Sequence, residues 1–305
     1  MAATTAGMEE EQAEAIARRI YRHLGANNTV RAVSDMLARK PGLMVGMKDL
    51  DADPMVIATP SGIYSLETGK LVASDAEECA RHLCTKQTAA GVADMPTPLF
   101  DSLLRNMANN DAETEEYLWQ LLGYTLSGDQ RLQKSFWLTG SGQNGKSTFL
   151  NTLFGLFGSY AISFDASVLE KQKNDRHPTE IAQFVGARLA ITSEWPDGGF
   201  LNEDRFKRLT GDDVISARFM RGDNFSFMSQ AKIWVVMNKL PAVQKMSFAV
   251  ARRLCIVPTG PAVAKPDVML KLKLVKEYPG ILFKAIKAAS KFFGQVDGVP
   301  VPAMV

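Results

Sequence analysis

Apolar residues recur at helical spacing over residues 9–39, where Ala15, Ile16 and Ala17 and then Val33, Met36 and Leu37 supply a stripe that Pro41-Gly42 ends. Between 43 and 72 the pattern changes to short β-like runs, and Ser61 to Lys70 predicts a strand ending in a turn. Residues 75–92 predict a helix that gives way to polar chain. After Pro96 and Pro98, helices are predicted over 99–107 and 113–126, with Leu103, Leu104, Tyr117, Leu118, Leu121 and Leu122 on their apolar faces. Gly128-Asp129 interrupts the chain. From residue 132 strand-like and helix-like runs alternate, which predicts a mostly parallel sheet with helices around it. The candidate core strands are 134–139, 187–193 and 231–237, joined by an apolar strand over Leu254 to Val257. A hairpin predicted over 213–229 breaks the alternation. Residues 258–266 hold three prolines and predict a surface connection, followed by a basic helical tail over 268–294 that breaks at Pro279-Gly280.

The chain has 305 residues, 46% apolar and 22% charged, a globular composition with room for two domains. No run approaches the roughly 18 apolar residues of a membrane span, and Glu9-Glu10-Glu11 stands where a secretion signal would need an apolar core. No membrane partner and a cytoplasmic location are therefore expected. The three cysteines, Cys79, Cys84 and Cys255, are too few and odd in number for a disulfide framework, which fits a reducing compartment. Cys79, His82 and Cys84 lie close together but lack the second ligand pair of a zinc site, and read as ordinary residues of one helix. The formal charge of +2 is unevenly spread: residues 1–130 hold 11 Lys/Arg against 19 Asp/Glu, and residues 131–305 hold 24 against 14. A basic second half suits a polyanionic partner or a nucleotide, although charge alone does not separate these from a solvated face.

That basic half carries the most specific signal. Gly140-Ser141-Gly142-Gln143-Asn144-Gly145-Lys146-Ser147-Thr148 matches the phosphate-loop pattern G-x-x-x-x-G-K-[ST], after the apolar run Phe136-Trp137-Leu138 and before a helix-like segment from Thr148 to Phe154. Glycines let backbone N–H groups approach a phosphate, Lys146 reaches the β- and γ-phosphates, and the Ser147 hydroxyl serves Mg²⁺. ATP and Mg²⁺ are thus the expected ligands, with a helix N-terminus adding its dipole. Glu194, ending the apolar run Arg188 to Ser193, could order Mg²⁺ or polarise a water; Trp195 follows, so one acid stands where two roles are needed. Asn238, ending Lys232 to Met237, could hold the attacking water, or simply form a turn before Pro241. Arg252-Arg253 could neutralise charge on a γ-phosphate, in a neighbouring subunit if they project from an edge, or form a surface ion pair. In the predicted hairpin Arg218 and Arg221 lie near a Gly222-containing tip with Phe219 and Phe225 beside them, a composition that suits a single-stranded backbone and its bases.

The order of these motifs resembles that of the superfamily 3 helicases of the phage and plasmid primase–helicase family, related to the poxvirus-type primase–helicases. The loop is similar to the family's G-x-G-x-N-G-K-S-T form, and Tyr117 to Gly128 is similar to its helix leading into the loop strand. Ser193-Glu194 stands at its acidic motif, Lys207-Arg208-Leu209-Thr210-Gly211-Asp212-Asp213 resembles its L-T-G-G-D element, Asn238 its sensor asparagine and Arg252-Arg253 its double arginine. The resemblance runs from roughly residue 45 to the C-terminus. It implies an α/β fold: an AAA+-like P-loop ATPase core with a mostly parallel sheet, preceded by a smaller, mainly helical N-terminal region. It further implies a homo-oligomeric ring, usually a hexamer, around single-stranded DNA, with ATP between subunits. Arg253 is then the first choice to serve the neighbour's site, because it immediately precedes the apolar strand, with Arg252 the other candidate. The hairpin corresponds to the family's DNA-translocating hairpin, with Arg221 at its tip. Asp212 departs from the family's second glycine.

These readings divide the chain into a helical segment at 1–40 (collar or linker), a helicase-associated region at 41–128 and the ATPase domain at 129–305. No catalytic primase domain fits within residues 1–40, so primer synthesis is not assigned, and a primase domain or partner is expected elsewhere. The leading expectation is an ATP-dependent DNA helicase of a phage or mobile element, acting in a bacterial host. A DNA-loading or origin-remodelling ATPase without processive unwinding is the alternative. A small-molecule phosphotransferase fits the double arginine and the hairpin poorly.

Overall fold

The computed structural model describes residues 49–140, 142–171, 179–193, 200–220, 222–237 and 247–294, together with 29, 30, 32 and 36. The chain divides into two compact units, Met1–Leu50 and Asp51–Val305. In the first, residues 29, 30, 32 and 36 are helical, and the rest of the helices expected over 9–39 lies outside the described residues. The second unit opens with an antiparallel meander of β1 (Val56–Thr59), β2 (Gly62–Ser65) and β3 (Leu71–Ala73). Cys79 and Cys84 pack against its small core of Val56, Ala58, Ile63 and Ala73. The helix expected over 75–92 shortens to α1 (Ala76–Arg81), capped by Asp75, whose carboxylate accepts from the Glu78 N–H.

Helices α2 (Pro98–Met107) and α3 (Ala112–Leu126) follow close to their expected bounds. The first turn of α2 is capped from far along the chain: the buried Glu277 carboxylate accepts from Leu99 N–H (3.0 Å) and Phe100 N–H (2.9 Å). Such a carboxylate satisfies orphan donors and complements the positive helix end.

The strand–helix alternation resolves into β4 (Ser135–Thr139), α4 (Lys146–Phe157), β5 (Ala161–Ser163), α5 (Thr179–Ala182), β6 (Leu189–Ser193), α6 (Glu203–Thr210), the hairpin β7 (Val214–Arg218) and β8 (Asn224–Met228), β9 (Lys232–Met237), α7 (Phe248–Ala251) and β10 (Leu254–Pro258). Five of these strands form a sheet in the order β10-β4-β9-β6-β5, and every pairing is parallel. Strands covered on both sides bury every residue, so β9 is buried at all six positions. Period-two alternation then sorts the two cores. Phe136, Leu138, Trp234 and Val236 join the core that holds residues of α2, α3 and α4. Trp137, Ile233 and Val235 join the other, with Phe164, Phe184, Phe206 and Leu209. Strand β5, three residues at the sheet edge, is too short to carry a periodic signal.

The tail forms α8 (Leu270–Val275) and α9 (Tyr278–Phe293). The break expected at Pro279-Gly280 falls earlier, at Lys276-Glu277. Pro279 sits in the first turn of α9, where its missing N–H costs no helical bond. Helix α9 packs closely on α3: a Cβ on Gly123 would stand 2.5 Å from Ala289 N and 2.9 Å from Ala285 O. Residues 51–128 therefore share a core with the sheet region across the boundary set at 128 from sequence.

At the amino edge of the sheet two buried cations are held largely by carbonyls. Lys232 Nζ donates to Ser127 O (2.6 Å) and Gln230 O (3.2 Å) and lies 4.6 Å over the Tyr124 ring. Arg188 donates to Pro54 O (2.7 Å) and Asp53 O (3.3 Å). Burial, and then the Arg188 charge, hold the Lys232 ammonium well below the usual lysine value. The folded chain therefore binds fewer protons than the unfolded one from that depressed value up to about 10.4, and stability contributed by this residue rises with pH across the window. Tyr160, pushed up to about 12 by burial, opposes the rise only once unfolded tyrosine ionises near pH 10. Urea unfolding at about pH 7 and about pH 9.5 should show the wild-type chain gaining more stability with pH than Lys232→Met; equal slopes would place the lysine in a solvated environment.

Candidate functional site

Strand β4 ends at Thr139 and α4 begins at Lys146, so the predicted loop joins strand to helix at the carboxyl edge of the sheet, where open α/β folds hold their ligands. Gly142, Gln143 and Gly145 adopt left-handed backbone, with φ of 94°, 52° and 91°. Such a run curls N–H groups into an anion cradle. A side chain at Gly145 would be strained by its φ, and a Cβ there would also displace Leu103 Cδ1 of α2, 2.6 Å away. Helix α4 has no side-chain cap, which leaves its first N–H groups for a ligand. Ser141 lies outside the described residues.

Lys146 is 3% exposed, and burial lowers its pKa. Its ammonium donates to Gly140 O and Asn144 Oδ1, both at 2.9 Å, which uses two of its three N–H bonds. Ser147 is exposed on the first turn of α4 and Thr148 is half-buried. A hard divalent cation takes oxygen ligands and retains substrate phosphates in its shell. The Ser147 hydroxyl fits as one such oxygen.

The two expected partners of the loop fall just beyond described strands. Strand β6 ends at Ser193 and β9 at Met237, the residues before Glu194 and Asn238; both of the latter lie outside the described residues. Strand β9 is the direct neighbour of β4, and β6 is the next one out. With strands about 4.8 Å apart, their carboxyl ends fall about 5 and 10 Å from that of β4.

Arg252 and Arg253 stand at the other edge. Strand β10 runs parallel to β4, with Leu254 opposite Ser135 and Pro258 opposite Thr139. About 16 Å of strand therefore separates the two arginines from the loop of their own chain. Arg253 is 7% exposed, donating from Nη1 to Ala249 O (2.7 Å) and from Nη2 to Gln133 Oε1 (2.9 Å). Burial, and then the adjacent Arg252, lower its pKa. Arg252 is exposed, and its Nη2 donates to the same Gln133 oxygen. Gln133 Nε2 donates in turn to Asp212 Oδ1 (3.3 Å), so the residue that departs from the family's second glycine joins the arginine network. Gln133 has a positive φ of 51°, and nothing in the sequence marked it.

The hairpin forms as expected. Strands β7 and β8 pair from Val214↔Met228 to Arg218↔Asn224, leaving 219–223 as the tip. Ile215, Ala217, Phe225 and Phe227 form its more buried face and Arg218 is exposed. Phe219 stacks on Phe225, with centroids 4.8 Å apart and planes at 22°. Phe225 is thereby half-buried, and the most accessible apolar groups at the tip are Phe219, 49% exposed, and Met220, 82% exposed. Arg221 lies outside the described residues. The hairpin base enters β9 at the amino edge of the sheet, where Gln130 Nε2 donates to Ser229 O (3.2 Å) and Ala231 O (3.0 Å).

A parallel sheet whose carboxyl edge feeds a glycine-rich loop into a helix defines a mixed α/β protein with a P-loop-like core. Comparison with known proteins narrows this class. Residues 1–109 match the family model described as D5 N terminal like, and residues 138–253 match a family of unknown function (DUF5906). The chain is 26% identical over 236 residues to a protein of Acanthamoeba polyphaga mimivirus named "Putative helicase L207/L206", covering 76% of this chain and 24% of that protein. It is 30% identical over 130 residues to "Putative helicase 022R" of Frog virus 3 (isolate Goorha), covering 40% of this chain and 13% of that protein. The chain thus spans a quarter or less of these curated relatives. Among solved structures, the A form apo structure of the NrS-1 C-terminal region superposes with a TM-score of 0.54 at 13% identity, over 70% of this chain and 50% of that one. A second structure of that region, residues 305–718, gives 0.51 at 11% identity over 66% and 48%. These matches support a relation between the chain and the phage and viral primase–helicases. Among the described residues no helix is long and apolar enough to cross a membrane.

Proposed function

We propose that the chain is the motor part of an ATP-dependent DNA helicase that moves along single-stranded DNA as a ring during phage or viral replication. The observation that carries this reading is the split of the site: the phosphate loop leaves the carboxyl edge of the sheet, while the double arginine stands at the amino edge of the same sheet. A heterologous, head-to-tail contact brings the two edges of neighbouring copies together, and such a contact forms a ring when the rotation between copies closes. Lys146 and the N-terminus of α4 bind the β- and γ-phosphates. Glu194 and Asn238, each following a strand that ends at the loop's edge, orient the attacking water. Mg²⁺, when bound by the Ser147 hydroxyl, the phosphates and Glu194, neutralises charge on the phosphate oxygens. Between the two arginines Arg252 is the better candidate to reach the neighbour's γ-phosphate, because it is exposed and shares only Gln133, whereas Arg253 is buried and held by both Ala249 and Gln133 of its own chain. The hairpin tip, with Arg218, Arg221, Phe219 and Met220, contacts the strand.

The viral helicase names and the D5-like N-terminal match support a replicative helicase reading. Hydrolysis of ATP measured with and without single-stranded DNA across protein concentration tests it. Turnover per chain should rise with DNA and rise with concentration, and a forked duplex should be opened. DNA-stimulated turnover without opening would favour a DNA-loading ATPase. Turnover indifferent to DNA and constant per chain would remove the shared-site motor.

A further inference from the structure

We infer that Thr259 is a positioning residue of the nucleotide site, acting on Lys146 through the buried amide of Asn144. The inference rests on the ATP reading of the loop. The Thr259 hydroxyl donates to Thr139 O (2.7 Å), which turns its lone pairs toward Asn144 Nδ2 at 2.6 Å. The second N–H of that amide donates to Gly260 O (3.2 Å). A carbonyl only accepts and an ammonium only donates, so one orientation of Asn144 satisfies all its neighbours: Nδ2 toward Thr259 and Gly260, Oδ1 toward Lys146 Nζ at 2.9 Å. Asn144 is 1% exposed, and turning its amide over would leave buried partners unpaired. The lysine is therefore held at the loop before a phosphate arrives, and preorganised charge needs no rearrangement on binding.

The segment carrying Thr259 was expected to be a surface connection, yet it grips the loop from the β10 side. Val263 N–H donates to Gln143 O (2.9 Å), and Gly260 N–H donates to Met107 O at the end of α2 (2.8 Å). Even the first loop glycine makes room for the contact, since a Cβ on Gly140 would lie 2.4 Å from both Asn144 Nδ2 and Thr259 Oγ1.

Thr259→Val keeps the shape of the residue and its backbone bond to Thr139 O (2.8 Å) while removing the hydroxyl. Titration of a fluorescent ATP analogue with Mg²⁺ should show affinity about fivefold weaker, as for loss of one buried neutral hydrogen bond. KM for ATP should rise alike with kcat near wild type, the thermal midpoint without nucleotide should fall by a few degrees because the Asn144 amide loses a buried partner, and Thr259→Ser should restore all three. In a Lys146→Ala background Thr259→Val should weaken binding no further, because the two residues act as one unit. Wild-type affinity in Thr259→Val, or equal weakening in both backgrounds, overturns the inference. If Thr259→Val melts below the assay temperature, Thr259→Ala carries the same comparison. A wild-type chain that binds no analogue, with Lys146→Ala indistinguishable from it, removes the nucleotide reading itself.

Discussion

Lys146→Ala should lower kcat for ATP hydrolysis by about two to three orders of magnitude, the cost of removing a preorganised charge from the place where negative charge develops. The ammonium sits at the first position of α4, bound to Gly140 O and Asn144 Oδ1 of the same loop. No other lysine or arginine lies between Gly140 and Phe157, so the loop and its helix have no substitute charge. The fold should survive. Alanine favours the helix, and the change removes an ammonium whose burial already lowers its pKa. Turnover at saturating Mg²⁺ and ATP, measured beside a thermal melt, separates the two effects. Loss of turnover with the melt unchanged or slightly raised is expected. Near-wild-type turnover would mean that the loop holds something other than the reacting phosphates.

What was legible in the sequence was legible for physical reasons. The runs at 134–139, 187–193 and 231–237 belong to strands buried on both faces, which need near-continuous apolar residues and so stand out. The loop is legible because phosphate binding needs backbone without side chains at fixed positions, and Gly145 shows the constraint in its φ and in the Leu103 methyl that stands where a Cβ would go. The hairpin is legible because alternation and a Gly-containing tip specify it. Short or long-range features were not. Strand β5 has three residues, and the start of α9 depends on Pro279 serving a first turn, which the residue's usual role as a breaker conceals.

The site shows the same division. Lys146, Asn144 and Gly145 are close in sequence and were found together. Thr259 and Gln133 act on residues more than 100 positions away, and neither type is unusual in a loop. Phe225 was chosen from its place beside the tip, but antiparallel register sets it beneath Phe219. Pairing, and not proximity in sequence, decides which ring faces out.

The same reasoning sets the second large effect. Arg252→Ala should bind ATP with unchanged affinity and hydrolyse it about 10³-fold more slowly, the contribution of an arginine supplied to a neighbour's γ-phosphate. Arg253→Ala should behave differently: it removes a buried guanidinium that ties Ala249 to Gln133, and should lower the melting temperature as well as turnover. Mixing variants decides whether the arginine acts in the neighbour. An Arg252→Ala chain keeps its loop, and a Lys146→Ala chain keeps its arginine. Neither forms a complete site alone, but a head-to-tail contact between them builds one from the intact loop of the first and the intact arginine of the second. Random mixing in equal amounts gives about one contact in four of that kind, so the mixture should regain a substantial share of turnover that both pure variants lack. If the arginine serves its own chain, both variants stay inactive however they are mixed. The separation of about 16 Å between Arg252 and the loop of the same chain, set by β10 lying in register beside β4, is the reason to expect recovery.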